Sequence, residues 1–242
     1  MARRIKALTT VAPGVTFVEG PAANWTIIHS ATELALIDAG YPADFELVVQ
    51  SIEAVGCDPR DLDAVYITHA HTDHIGSVPM LREVASFAVY CAGQELQAVR
   101  GGERHQIGLG DVLRGGCDPR MLRWSVSAIR AGGLRHVFVD DAIGITHDAP
   151  LPGRSEQIVP ILVPGHTLGA TAYLLPRRRL LVSGDALVTG HATSRRLGLQ
   201  QLRTEFHWDT GLASSAASKL VQDPRWVTIL PGHGALESRR GM

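Results

Sequence analysis

Short apolar runs open the chain: Val15-Thr16-Phe17-Val18, Trp25-Thr26-Ile27-Ile28 and Leu34-Ala35-Leu36-Ile37, separated by Gly, Pro, Asn and polar residues. Runs of this length and punctuation predict successive β-strands. After Pro42 the period changes, and Phe45, Val48, Val49, Ile52 and Val55 recur at helical spacing. That spacing predicts an amphipathic helix over 42–55, ended by Gly56, whose apolar stripe covers one face of a sheet. A strand over 64–68 follows and runs directly into His69-Ala70-His71-Thr72-Asp73-His74. A helix through Pro79-Met80-Leu81 and a strand over 87–90 come next, so the histidines sit in a loop at a strand's C-terminal end, where α/β proteins usually place chemistry.

From 93 to 152 the pattern is less regular. Glycine pairs at Gly101-Gly102, Gly115-Gly116 and Gly132-Gly133 punctuate helical stretches, of which Pro119 to Ala131 is the clearest. This reads as an irregular, partly helical insertion near the mouth of a site. Strands return over 158–163, 171–175 and 180–182, the last two joined by the turn Pro176-Arg177-Arg178-Arg179. A helix with Leu212, Ala213, Ala216, Ala217, Leu220 and Val221 on one face precedes a final strand over 226–230. Strands then helices, twice, predict two β-sheets packed face to face with helices outside, in a single domain over 1–242. Asp58-Pro59-Arg60, Asp118-Pro119-Arg120 and Asp223-Pro224-Arg225 look like a repeat. Asp followed by Pro commonly initiates a helix or turn, and no functional weight falls on the motif here.

Composition narrows the class. A chain of 242 residues with 45% hydrophobic content can bury one sizeable core. A formal net charge of −1 provides no bulk attraction to nucleic acid or an anionic membrane, although a local basic patch stays open. Partners must be argued from the site, and a small-molecule substrate is expected, with no nucleic acid or membrane; homo-oligomerisation is possible but has no sequence signal. Cys57, Cys91 and Cys117 are odd in number and widely spaced, which fits packing roles in a reducing compartment. The basic N-terminus lacks an apolar core segment before Pro13 and Gly14, and no stretch reaches membrane-spanning length, so a cytoplasmic protein is expected.

The chemistry lies in the histidines. His69, His71, Asp73 and His74 place four metal-ligating side chains within six residues. His69 and His71 can share one ion, while Asp73 and His74, past the turn, can serve a second. Imidazoles crowded this closely lower each other's pKa and need several hydrogen-bond partners, which a divalent cation replaces at once. Three later strand ends present one ligand each after a glycine: Gly165-His166, Gly184-Asp185 and Gly232-His233. Glycine there permits a sharp turn and a close approach, so the three can converge on one ion pair.

With H-x-H-x-D-H followed by a lone His, a lone Asp and a final His at successive strand ends, the chain resembles the metallo-β-lactamase fold superfamily from about Val15 to His233. The resemblance implies a four-layer αββα sandwich of two mixed sheets. It implies that His69, His71 and His166 bind a first metal, that Asp73, His74 and His233 bind a second, and that Asp185 bridges. Asp38, in Leu36-Ile37-Asp38-Ala39-Gly40, matches the family's early Asp, which supports the first-metal histidines; a plain strand-end turn explains it equally well. Two divalent ions about 3.5–4 Å apart would hold a bridging hydroxide that attacks a carbonyl carbon. Asp73 and Asp185 are the catalytic carboxylates of this scheme. Zinc is the first expectation for nitrogen and oxygen ligands without cysteine, with manganese or iron able to occupy the same set.

Departures narrow the substrate. Asp185 resembles the ester, thioester and lactone hydrolases and differs from the true β-lactamases, which carry Cys or Ser there. The acyl-homoserine lactonases have Tyr three residues after that Asp, where this chain has Val188. Met242 lies nine residues past His233, which leaves no room for the C-terminal helical domain of hydroxyacylglutathione hydrolases and points to a compact, glyoxalase-II-like enzyme. Alternatives are a β-lactam hydrolase, a mononuclear iron enzyme of the persulfide dioxygenase type, and a non-catalytic binding module. His191, Arg195, Arg196, His207 and Trp208 are candidates for substrate contact, against a solvated loop for the 191–196 residues. Met121 and Trp124 fit an apolar lid or a core helix equally well.

Overall fold

Along the strand Leu34–Ile37 successive side chains point to opposite faces, as the two-residue period of a strand requires. Leu34 and Leu36 join a core shared with helices, whereas Ala35 and Ile37 join a core between two sheets. Both faces are thus covered, and the alternation places this strand inside a layered fold. The computed structural model describes residues 3–102, 118–151 and 156–239.

The first sheet runs in chain order: β1 (Ala7–Ala12), β2 (Val15–Glu19), β3 (Trp25–His29), β4 (Leu34–Ile37), β5 (Ala64–Tyr66), β6 (Ala88–Ala92) and β7 (Ile143–Ile145). It is antiparallel from β1 to β4 and parallel from β4 to β7. The second sheet has the order β12-β11-β10-β9-β8, with β8 (Val159–Leu162), β9 (Thr171–Leu175), β10 (Leu180–Gly184), β11 (Thr228–Pro231) and β12 (Glu237–Ser238). Only β10 and β11 pair in parallel there, so both sheets are mixed.

Phe17, Ile37 and Tyr66 from the first sheet meet Tyr173, Leu175 and Val182 from the second in the central core. On the outer face of the first sheet, Val48 and Ile52 of helix α1 (Phe45–Ala54) pack on Trp25, Ile27 and Val65, joined by residues of the short helices α2 (Thr72–Ile75) and α3 (Val78–Leu81). Two further helices, α4 (Leu96–Val99) and α5 (Pro119–Arg130), precede β7. On the outer face of the second sheet, Ala216, Ala217 and Leu220 of α6 (Thr210–Gln222) pack on Leu174, Leu181 and Ile229. The layers are helix, sheet, sheet, helix, the αββα sandwich expected. Each large apolar side chain removed from water stabilises this arrangement by about 1.5–3 kcal/mol.

Several elements differ from their expected bounds, each for a local reason. The helix expected over 42–55 begins as a 3-10 turn at Pro42–Asp44, and Gly56 adopts φ 83 just past its end. The strand expected over 64–68 stops at Tyr66, because the Thr68 amide is taken by the Asp38 carboxylate. Leu212 and Val221, expected on the apolar face of the last helix, lie exposed at its margin, and the alanines make the contact. Strand β1, whose alternation is masked by threonines and small residues, is an addition to the expected strands. The segment over 93–152 contributes β7, which pairs in parallel with β6, so its C-terminal part belongs to the first sheet. Gly115-Gly116, Cys117 and Pro152 lie outside the described residues. Cys91 is buried in β6 and Cys57 is half-buried. Among the described residues no helix is long and apolar enough to cross a membrane.

Candidate metal centre

Four strand ends open onto one crevice. The chain after β5 carries His69 and His71, the first turn of α2 carries Asp73 and His74, and the turns after β8, β10 and β11 carry His166, Asp185 and His233. Two of the glycines before these ligands show why only glycine suffices. Gly165 has φ 131, and a Cβ there would overlap the backbone of Ala213 at the start of α6. At Gly232 a Cβ would overlap Oδ1 of Asp185, so the β11 turn must lack a side chain to bring His233 beside that carboxylate.

The seven side chains form two groups around Asp185. In the first, His69 Nε2, His71 Nδ1 and His166 Nε2 lie 2.9–3.2 Å from one another. In the second, His233 Nε2 lies 3.5 Å from Asp73 Oδ2, and His74 Nε2 lies 3.8 Å from the same oxygen. Asp185 spans both: Oδ2 is 3.4 Å from His166 Nε2 and 3.3 Å from His233 Nε2, and Oδ1 is 3.5 Å from His74 Nε2. The groups His69/His71/His166, His69/His74/Asp185 and Asp73/His74/His233 each have ligand atoms within 4.8 Å of one another.

The hydrogen bonds behind the rings assign their tautomers. The Thr68 hydroxyl donates to Asp38 Oδ2 at 2.7 Å and so accepts from His69 Nδ1 at 3.0 Å. His74 Nδ1 donates to Asp38 Oδ2 at 2.7 Å, and His233 Nδ1 donates to the carbonyl of Ala22 at 2.8 Å. Each Nδ1 therefore carries the proton and each Nε2 presents a lone pair inward. For His74 and His233 that lone pair faces carboxylate oxygens, a repulsive arrangement unless positive charge lies between them. His74 Nε2 and Asp185 Oδ1 are buried without a hydrogen-bond partner. Three ring nitrogens converging on one point cannot all be paired by one N–H each, whereas a divalent cation takes every lone pair. The donor set fits metal ions in both groups.

Electrostatics separate the groups. Burial, together with the neighbouring histidines, holds His69 and His166 well below the usual imidazole range. Burial also works against charging His74 and His233, but Asp38, Asp73 and Asp185 outweigh it at His74, Asp185 and Asp73 outweigh it at His233, and both are raised. Asp185 loses solvation through burial, yet His233 and His74 hold it well below the carboxylate range. The first group thus rejects protons while the second attracts positive charge.

Two supporting carboxylates complete the centre. Asp38, in the left-handed region at φ 61, accepts from the Thr68 amide at 2.8 Å as well as from the Thr68 hydroxyl and His74. Its direct contact is therefore with His74, and it reaches His69 of the first group only through Thr68, which corrects the expectation that it supports the first-group histidines. Glu95, which no sequence motif singles out, is buried between two ligand loops. Its Oε1 accepts from the Ala70 amide at 2.9 Å, and its Oε2 accepts from the Gly169 amide at 2.8 Å and the Thr167 hydroxyl at 3.1 Å. One side chain thereby fixes the loop of His69 and His71 against the loop of His166.

A cavity of about 500 Å³ adjoins the second group, lined among others by Lys6, Arg120, Arg123, Trp124, His191 and His233. His191 is half-buried with its ring 4.9 Å from that of His233 and 5.9 Å from Trp124, and burial with His233 pushes it down to about 3. His207 is buried 5.6 Å from the His166 ring, its Nε2 donating to the carbonyl of Leu202 at 3.3 Å. Trp208 is exposed, and Arg195 and Arg196 lie on an exposed loop outside the lining of this cavity. Met121 packs with Val188, Leu202 and Phe206 beneath α5, while Trp124 flanks that cluster and lines the cavity.

Some relatives with similar sequences are named probable metallo-hydrolases. The chain is 27% identical to the probable metallo-hydrolase YflN of Bacillus subtilis over 96% of its own length and 84% of that protein. It is 26% identical to the probable metallo-hydrolase YqgX of the same organism, covering 88% and 85%. Among solved structures, a HARLDQ-motif metallo-β-lactamase from Cronobacter sakazakii superposes with a TM-score of 0.68 at 18% identity, over 96% of this chain and 74% of that one. BJP-1, a subclass B3 metallo-β-lactamase of Bradyrhizobium japonicum, superposes with a TM-score of 0.62 at 14% identity, over 93% and 77%, so these two share the fold. The family model of the metallo-β-lactamase superfamily matches residues 18–233, and the chain belongs to that superfamily.

Proposed function

We propose that this protein is a metal-dependent hydrolase with a dinuclear, zinc-type centre that cleaves an ester, thioester or lactone of a small molecule. The observation that carries this reading is Asp185, whose Oδ2 lies 3.4 Å from His166 Nε2 of the first group and 3.3 Å from His233 Nε2 of the second while Oδ1 faces His74, so that one carboxylate can serve two cation sites. The names of the relatives favour hydrolysis. Bound there, a pair of divalent cations supplies Lewis acidity and a water acidified towards neutrality. Donors limited to nitrogen and oxygen favour zinc, followed by manganese or iron.

The remaining steps belong to side chains. Asp73, 14% exposed, is the part of the set most open to the crevice. Its carboxylate takes the proton from the attacking water and returns it to the leaving group. Asp38 and Thr68 lock the rings of His74 and His69 in the tautomer that keeps Nε2 free. A cavity of about 500 Å³ beside His233 suits a small molecule rather than a nucleic acid.

Metal analysis of protein purified without added metal tests the centre, with about two zinc per chain expected. One iron per chain would favour an oxygenase, and no metal would overturn both. Hydrolysis of a panel of thioesters, lactones, aryl esters and a chromogenic β-lactam tests the bond, and turnover confined to the β-lactam would refute the ester-type assignment.

A further inference from the structure

The three Asp-Pro-Arg segments fold alike at the backbone, and the Asp carboxylate accepts from the Arg amide two residues on in each. Their side chains differ. Arg60 turns back onto its own Asp58, with Nε 2.9 Å from Oδ1. Arg225 likewise returns to Asp223, with Nη2 2.7 Å from Oδ2. In the third segment a different residue takes the place of the local arginine: Arg203 donates to Asp118 Oδ2 at 2.6 Å. Arg120 is thereby displaced from the pairing its two counterparts make, and it lines the cavity beside His233.

Arg123, one helical turn further along α5, and Lys6 line the same cavity, and among the described residues no Asp or Glu does. Neither guanidinium donates to a carboxylate among the described residues, although Arg120 stays close enough to Asp118 to help hold that carboxyl below its ordinary range. In a chain of net charge −1 the grouping of three cations in one concave wall is local. A cleft lined by one sign of charge concentrates the opposite sign, and guanidinium groups at i and i+3 lie on one helix face, close enough to clamp one anion. Trp124 and His191 form an aromatic path from these cations to His233.

We propose that this cavity binds an anionic group of the ligand, a carboxylate or a phosphate, through Arg120 with Arg123 and Lys6, and that Arg203 holds Arg120 available by occupying Asp118. That the ligand is a substrate rests on the hydrolase reading; that it is an anion does not.

Calorimetric titration of the full chain, with metal content matched across variants, tests this with phenyl phosphate, phenylacetate and neutral benzyl alcohol. At least one anion is expected to bind tenfold or more tighter than the alcohol, and Arg120→Ala to weaken it by about tenfold. Dependence on Arg120 for phenyl phosphate assigns a phosphate group, and dependence for phenylacetate alone assigns a carboxylate. Arg203→Ala leaves Arg120 in the chain but frees Asp118 to recapture it, so anion affinity falls similarly, and Asp118→Asn in the same chain restores it. An Arg120→Ala affinity equal to that of the unmodified protein, or equal binding of benzyl alcohol, would overturn the proposal. Arg120-dependent anion binding without turnover of any ester, thioester or lactone would remove the hydrolase reading and leave the anion site standing. Turnover without such dependence would do the reverse.

Discussion

The two halves of the candidate centre would hold positive charge by different means. His69, His71 and His166 bring three ring nitrogens within 2.9–3.2 Å with no carboxylate of their own except the edge of Asp185. Asp73, His74 and His233 stand farther apart, at 3.5–3.8 Å, with a carboxylate inside the group and a second, Asp38, behind His74. The first half is a tight neutral cup in which protonation is suppressed by burial and by mutual repulsion. The second is a looser, anionic cup whose histidines accept a proton when no metal competes. Metal retention in the second half should accordingly be the more sensitive to acid, since protons compete there for the same lone pairs.

Asp185 joins the halves, and its loss should have the largest effect. Asp185→Asn is expected to lower bound metal in both groups and to leave no measurable turnover, with elemental analysis and rate assays as the readouts. His71→Ala and His233→Ala then separate the halves. Each should lose about one metal equivalent and abolish turnover with unchanged circular dichroism; full activity in His71→Ala would refute the ligand assignment. Removing metal from the unmodified protein by chelation should lower Tm by about 5–15 °C, because ligand-linked stability of about 3–4 kcal/mol is lost and each kcal/mol shifts a chain of this size by about 2–4 °C.

Glu95→Gln addresses the first half through its support. An amide cannot accept from the Ala70 amide on one side and from Gly169 and Thr167 on the other without turning its NH2 towards a donor. A 10- to 100-fold loss of metal affinity or activity is expected, at the magnitude of other outer contacts to metal ligands. Activity independent of this change would show that the His69 and His166 loops hold each other without it. Gly232→Ala is expected to cost about 1–3 kcal/mol of stability from overpacking against Asp185, read by denaturant unfolding, and to lower bound metal as well because the same overlap displaces that carboxylate.

The candidate ligand set was legible because its members lie at strand ends that hydrophobic patterning marks on its own, with glycine before each lone candidate. The αββα layering was legible for the same reason: runs such as Leu34-Ala35-Leu36-Ile37 are apolar at every position, as strands covered on both faces must be. Strand β1 was not, since its alternating burial is carried by residues such as Ala7, Thr9 and Thr10 that carry little hydrophobic signal. Glu95 was not, because a buried carboxylate satisfied by backbone amides has no local signature and lies in an irregular stretch. The Asp-Pro-Arg segments were visible as a motif, but their sequences are identical while one arginine is displaced by Arg203, 85 residues from Asp118.

The sequence by itself determined which side chains could ligate and which strand ends display them, since short-range periodicity and glycine placement govern local backbone. Only the tertiary structure decided how those ligands divide into two groups about Asp185, that Asp38 backs His74, and which cations line the cavity. Those are distances between residues far apart in the chain, set by the packing of two sheets and by competition among hydrogen-bond partners that local sequence does not encode.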